Sequence, residues 1–179
     1  MNPAKAVEIN SPAAYLIKPF INPESQPVTA IDDLIADFEI LDDWEDRYRH
    51  VIDLGRQLPP LAEAAHSAEN KVRGCASQVW ITSEASGNTA DPVLSFQGDS
   101  DALIVKGLIA IAFMIYSGKS AHEILSTDAG EVLGRLGLAG HLTQQRSNGF
   151  ASMIARIKRD AQTALQAPVA SSGGGTDGR

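Results

Sequence analysis

The run ALIVKGLIAIAFMIY, residues 102–116, is the strongest constraint on what this chain can fold into. It is apolar almost all the way round a helical wheel, so it has no face to offer water, and such a helix has to be covered by other elements on every side. With Lys106 inside it, the run also falls short of the ~18 uninterrupted apolar residues of a membrane span. Gly118 supplies a stop, since glycine accepts the left-handed backbone that commonly ends a helix. The rest of the chain must wrap this segment, and 179 residues suffice for one domain whose core needs neither metal nor disulfide staples.

The flanks provide the wrapping. Thr29 is placed to cap a helix whose Ile31, Leu34, Ile35 and Phe38 fall on one face. Asp42 followed by Glu45 reads as a capping box for a second helix, from Trp44 to about Leu58, which Pro59 and Pro60 end. Its Trp44, Tyr48, Ile52 and Leu58 are expected to face inward. Asp43 with Arg47 and Glu45 with Arg49 are expected as exposed pairs worth only about 0.3–0.5 kcal/mol each.

The hydrophobic period then changes from helical to alternating. Residues 77–84 and 92–97 flank the turn-rich segment SGNTAD, which predicts an antiparallel hairpin with Gly87 and Asn88 near its tip, and a third, shorter strand is expected before Cys75. In GDSD, Asp99 and Asp101 are expected at the start of the apolar helix, with Ser100 sharing the capping task. Beyond Gly118 the pairs Ser120/Glu123 and Asp128/Glu131 mark two short helices. Thr143 marks a last one with Phe150, Ile154, Ile157, Ala161 and Leu165 on a stripe. The fold class is α+β, a small antiparallel sheet packed against several helices. Residues 29–166 form the domain. Residues 1–28, with prolines at 3, 12, 19 and 27, are expected to be an extended or partly disordered arm whose Tyr15, Leu16, Ile17 and Phe20 can dock on the body, and 167–179 a flexible tail.

Charge and cysteine usage narrow the function. With 15 basic against 22 acidic residues the net charge is −7, which disfavours a nucleic-acid partner. A small molecule or another protein is the expected partner, and a membrane is not. One cysteine in the whole chain fits a reducing compartment, and the expected localisation is cytoplasmic. That cysteine, Cys75, stands in KVRGCASQVW at a bend leading into a strand. Lys71 and Arg73 precede it as cations able to stabilise a thiolate or meet an acidic partner, and Gly74 permits a tight turn and close approach. A lone free cysteine is also often a small core residue, and with these neighbours the two readings stand about even. One thiol cannot hold an iron–sulfur cluster or a zinc site within one subunit. A cysteine hydrolase would need His50, His66, His122 or His141 as base, and no local signature selects one. A sulfur relay asks only for one nucleophilic thiol.

Four segments, DWEDRYRHVIDLGRQLP, NKVRGCASQVWI, FQGDSDALIVKGLIAIAFMIY and HLTQQRSNG, resemble in order and spacing the SufE/CsdE family of sulfur acceptors that work with cysteine desulfurases in iron–sulfur cluster assembly. The resemblance covers about residues 30–165, and GCxSQVW is its most specific part. It implies the α+β fold shared with NifU/IscU-type scaffolds, Cys75 as the persulfide-carrying residue and stimulation of the desulfurase. It further implies a SufS/CsdA-type desulfurase as partner, whose pyridoxal phosphate does the carbon–sulfur chemistry, and a downstream iron–sulfur scaffold; no cofactor is expected in this chain. Gln78, Trp80 and Arg146 match family positions, Arg146 with an expected place near the Cys75 loop and Trp80 as sheet packing. The alternatives that stay open are a non-catalytic desulfurase-binding activator and, behind it, the cysteine hydrolase.

Overall fold

The computed structural model describes residues 27–167; the expectations for the amino-terminal arm before Pro27 and for the tail after Ala167 lie outside them. The apolar run folds as a helix, Leu103–Tyr116, and eleven of its fourteen residues are buried. At about 1.5–3 kcal/mol per fully buried large aliphatic or aromatic side chain, this segment is the main apolar contribution to the fold.

Other helices and a sheet cover it. Helix α1 spans Pro27–Ile40 and α2 spans Trp44–Arg56; the central helix is α3. Helices α4 (Ala121–Ser126), α5 (Ala129–Arg135) and α6 (Gln144–Gln166) follow. Helix α1 begins two residues before Thr29, with Pro27 in the first turn, where its missing N–H leaves no helical bond unmade. Thr29 is thus inside the helix and not its cap. Leu34, Ile35 and Phe38 are buried as the periodicity predicted.

Helix α2 is capped by Asp43, one residue after the expected Asp42. Its carboxylate accepts from the Glu45 N–H at 3.0 Å. Taken up by that bond, Asp43 does not pair with Arg47, whose Nε donates instead to the Leu41 carbonyl at 2.7 Å. Arg49 pairs with Asp46 rather than Glu45, three residues away instead of four. The inward face is also rotated from expectation: Val51, Leu54 and Gly55 are fully buried, whereas Trp44, Tyr48, Ile52 and Leu58 are only partly covered. The cause is the close contact of α2 with α3. Gly55 and Gly107 face each other there, and a Cβ added at Gly107 would collide with the Val51 carbonyl. Backbone this close draws the glycine face inward and leaves the aromatic side at the edge.

The hairpin forms as strands β1 (Val79–Ser86) and β2 (Val93–Ser100), paired antiparallel from Val79 opposite Ser100 to Ser86 opposite Val93. Gly87, with φ of 82°, and Asn88, whose side chain accepts from the Ala90 N–H, shape the tip. Leu94 and Phe96 alternate inward along β2, as a half-buried strand requires. The third strand is not the segment before Cys75, which makes only an isolated bridge, Lys71 to Trp80. It is β3, Lys119–Ser120, which α3 delivers to the other edge of β2. Asp99 belongs to β2 and Asp101 turns back to the Cys75 loop, so of the three residues expected at the helix start only Ser100 serves there, accepting from the Ala102 N–H.

Ser120 and Glu123 form the full reciprocal capping box of α4. Asp128 caps α5 through the Gly130 N–H, and Thr143 caps α6 through the Arg146 N–H. On α6, Phe150, Ile157 and Ala161 are buried as expected and Gly149 and Met153 join them, while Ile154 and Leu165 are partly covered. Among the described residues no helix is long and apolar enough to cross a membrane.

Candidate functional site

Cys75 stands on the loop that brings the chain into β1. Its stem is closed by two backbone bonds, Val72 N–H to the Val79 carbonyl at 2.8 Å and Ile81 N–H to the Asn70 carbonyl at 2.9 Å. Above that stem the chain turns through Gly74 at φ of 91°, a left-handed conformation that an L side chain adopts at a cost. A Cβ there would also lie 2.7 Å from the Ser152 hydroxyl on α6. On the far side, the Gln78 N–H donates to the Asp101 carboxylate at 2.9 Å and the Gln78 carbonyl accepts from the Asp101 N–H at 3.4 Å. The loop is thus gripped at both ends while residues 73–77 between them, Cys75 included, lie outside regular structure.

The thiol points into the protein without being sealed in it. Cys75 is half-buried, and its Sγ–H donates to the Gly149 carbonyl of α6 at 3.5 Å. A Cβ at Gly149 would touch the sulfur at 3.5 Å, so the glycine leaves room for the loop to lie against the helix. The sulfur opens on a cavity of about 230 Å³. Its apolar wall is Ala102, Ile104, Val105, Leu108 and Met153, and its polar rim is Thr143, Gln145 and Arg146. Burial pushes the Cys75 thiol above its ordinary value, because the thiolate loses solvation there and no neighbouring charge offsets the loss. Burial in this closed position disfavours the thiolate, the nucleophilic form.

Of the residues singled out in the sequence, Cys75 and Arg146 share the cavity and Gly74 adjoins it against α6. Lys71, Arg73 and Gln78 are exposed on the same loop and do not line it. Trp80 packs its ring edge-on to His66, 4.8 Å between centroids. The four histidines are engaged elsewhere: His50 near Asp37, His66 with Asp99, His122 with Asp91, and His141 stacked on Trp44. The Cys75 thiol is bonded to a backbone carbonyl and not to a histidine, so the nucleophile–base pair of a cysteine hydrolase does not form in this arrangement.

Sequence reasoning missed three parts of the site. Gly149 lies in the block HLTQQRSNG, but its closeness to Cys75 spans 74 positions of sequence. Tyr48 carries the Arg146 guanidinium over its ring at 5.8 Å, a cation–π contact joining α2 to the start of α6. Asp101 carried a signal in the quoted GDSD block, but a helix start was the simpler use for it.

Known proteins resemble this chain in sequence and in fold. The family model SufE, described as an Fe-S metabolism associated domain, matches residues 32–161. An uncharacterised SufE-like protein of Rhizobium meliloti is 53% identical over 140 residues, covering 78% of this chain and all of that protein. An uncharacterised SufE-like protein of Rhizobium etli is 53% identical over 135 residues, covering 75% of this chain and 91% of its own length. Among solved structures, the solution structure of a hypothetical protein from Thermus thermophilus superposes with a TM-score of 0.59 at 19% identity. It covers 76% of this chain and 96% of its own, a likeness of fold alone.

Proposed function

This chain belongs to the SufE family of Fe-S metabolism associated domains, and on that premise we propose that it is a sulfur acceptor: Cys75 takes the outer sulfur of a cysteine desulfurase's persulfide and passes it on for iron–sulfur cluster assembly. The observation that carries this reading is the position of the thiol, half-buried on a loop pinned at both ends, touching Gly149 and opening on an apolar cavity.

In the step itself Cys75 loses its proton and its thiolate attacks the donor's outer sulfur. The donor's sulfur–sulfur bond breaks, the donor cysteine leaves as thiolate and takes up a proton, and a persulfide remains on Cys75 with no net change of oxidation state. A second exchange hands the sulfur to a scaffold's thiolate. The pyridoxal phosphate chemistry that releases sulfur from L-cysteine belongs to the desulfurase, and removal of its persulfide speeds its turnover. A reducing, cytoplasmic setting suits a persistent free thiol.

A raised thiol pKa in the closed loop fits this division of labour. The cavity shields the sulfur from oxidants and stray thiols, and the loop swings the sulfur outward when the donor binds, where solvent and the partner restore thiolate character. The two anchored ends let residues 73–77 move as a unit while the domain stays intact.

The test mixes the full chain with the cognate desulfurase and L-cysteine and weighs the Cys75 peptide under non-reducing conditions. The expected product carries the mass of one added sulfur atom on Cys75. A peptide that stays unmodified while the desulfurase turns over would overturn the proposal.

A further inference from the structure

Helix α2 leaves a row of partly exposed apolar side chains, Trp44, Tyr48 and Ile52, along one edge, and with the rims of Glu45 and Arg49 they line an open groove of about 430 Å³. The row packs only at the margin of the core, since α2 turns Val51, Leu54 and Gly55 fully inward against α3. One contact links the groove to the Cys75 cavity: Arg146 lines the cavity and lies over the Tyr48 ring. Charge sets the Cys75 end of this surface apart. The chain carries a net −7, yet the Cys75 cavity is lined by one cation and no anion, and the side chains of Lys71, Arg73 and Arg146 make no ion pair among the described residues.

We propose that the α2 groove is a second anchoring surface for the sulfur donor, which seats an aliphatic or aromatic side chain between Tyr48 and Ile52 and sets acidic groups against Arg146 and the Cys75 loop. The inference rests on the sulfur-acceptor reading and names where that partner holds on besides the reacting sulfur. Charge complementarity favours an acidic contact patch, and Tyr, Trp and Arg grouped around a groove are the side chains that dominate binding energy at protein interfaces. Anchoring on rigid α2 would leave the Cys75 loop free to move while the complex persists.

The experiment uses the full chain, the desulfurase encoded in the same genome, and a polysulfide as a partner-free sulfur source. Ile52→Glu is expected to weaken desulfurase binding at least about tenfold, and Arg49→Glu, which reverses an exposed rim charge and releases Asp46 from its surface ion pair, about threefold. Both variants are expected to keep the wild-type melting curve and to load Cys75 from polysulfide at the wild-type rate. If Ile52→Glu loses its fold, Tyr48→Ser takes its place with the same expected tenfold loss. Affinities within twofold of wild type for folded variants would overturn the groove and leave the acceptor reading standing. A wild-type chain that binds no desulfurase, or takes no sulfur from it, would remove that reading and the groove with it.

Discussion

Helix α3 and the Cys75 loop both depend on glycine and on tight contact with a neighbouring helix, yet they use them to opposite ends. In α3, Gly107 lets the backbone press against Val51 of α2, and the apolar surroundings hold one arrangement. In the loop, Gly74 supplies a positive φ and Gly149 a notch on α6, and the contacts they permit are few: one long thiol hydrogen bond and a half-covered side chain. Dense apolar contact makes a region rigid, and a loop with two gripped ends and little between them opens at low cost. The domain thus keeps its densest packing and its lightly held thiol in separate places, joined at the α3 residues Ile104, Val105 and Leu108 that wall the Cys75 cavity.

Breaking one region without the other is the sharpest check of this division. The largest functional effect belongs to Cys75→Ser, which is expected to abolish sulfur uptake in the mass assay while the melting temperature stays near wild type. Desulfurase stimulation that survived this change would favour the non-catalytic activator. The largest effect on stability belongs to Gly107→Val, expected to cost about 3 kcal/mol or more in denaturant unfolding because backbone rather than a flexible side chain blocks the added atoms.

Smaller effects lie in the loop. Gly74→Ala is expected to cost about 1–2 kcal/mol through its positive φ and the nearby Ser152 hydroxyl, and to speed alkylation of Cys75 by loosening the closed position. Thiol titration gives a further, modest effect. Because burial raises the folded Cys75 pKa above its unfolded value, the stabilisation is complete below the unfolded pKa and is lost as pH rises through the folded one. Stability should therefore decline across the alkaline thiol range, and Cys75→Ser should flatten that part of the pH–stability curve. The smallest signal is at His66, whose bond to Asp99 raises its pKa. An NMR titration should place its midpoint above the ordinary histidine value, and Asp99→Asn should bring it back.

Local patterns were legible where one chemical rule dominates. The all-round apolar run 102–116 has one stable use in water, the SGNTAD turn has one natural partner geometry, and Ser120/Glu123 form their capping box as written. Legibility failed where several neighbouring residues could serve. Asp42 and Asp43 are equally good caps by type, and the burial of the Gly55 face through contact with Gly107 decided which side of α2 turned inward. The two-residue β3 carries no alternation to detect, because a strand so short is defined by its partner β2 and not by its own residues.

The sequence by itself determined the family, the α+β class and the single nucleophilic candidate, because these rest on residue type, order and short-range period. The tertiary structure alone decided that Cys75 meets Gly149, that Asp101 holds the loop rather than the helix, and that Arg146 spans from Tyr48 to the Cys75 cavity. Each is a contact across 23 or more positions, set by how the helices pack around α3. Burial of the thiol, which pushes its pKa upward, is a property of that packing, for which no residue type carries a code.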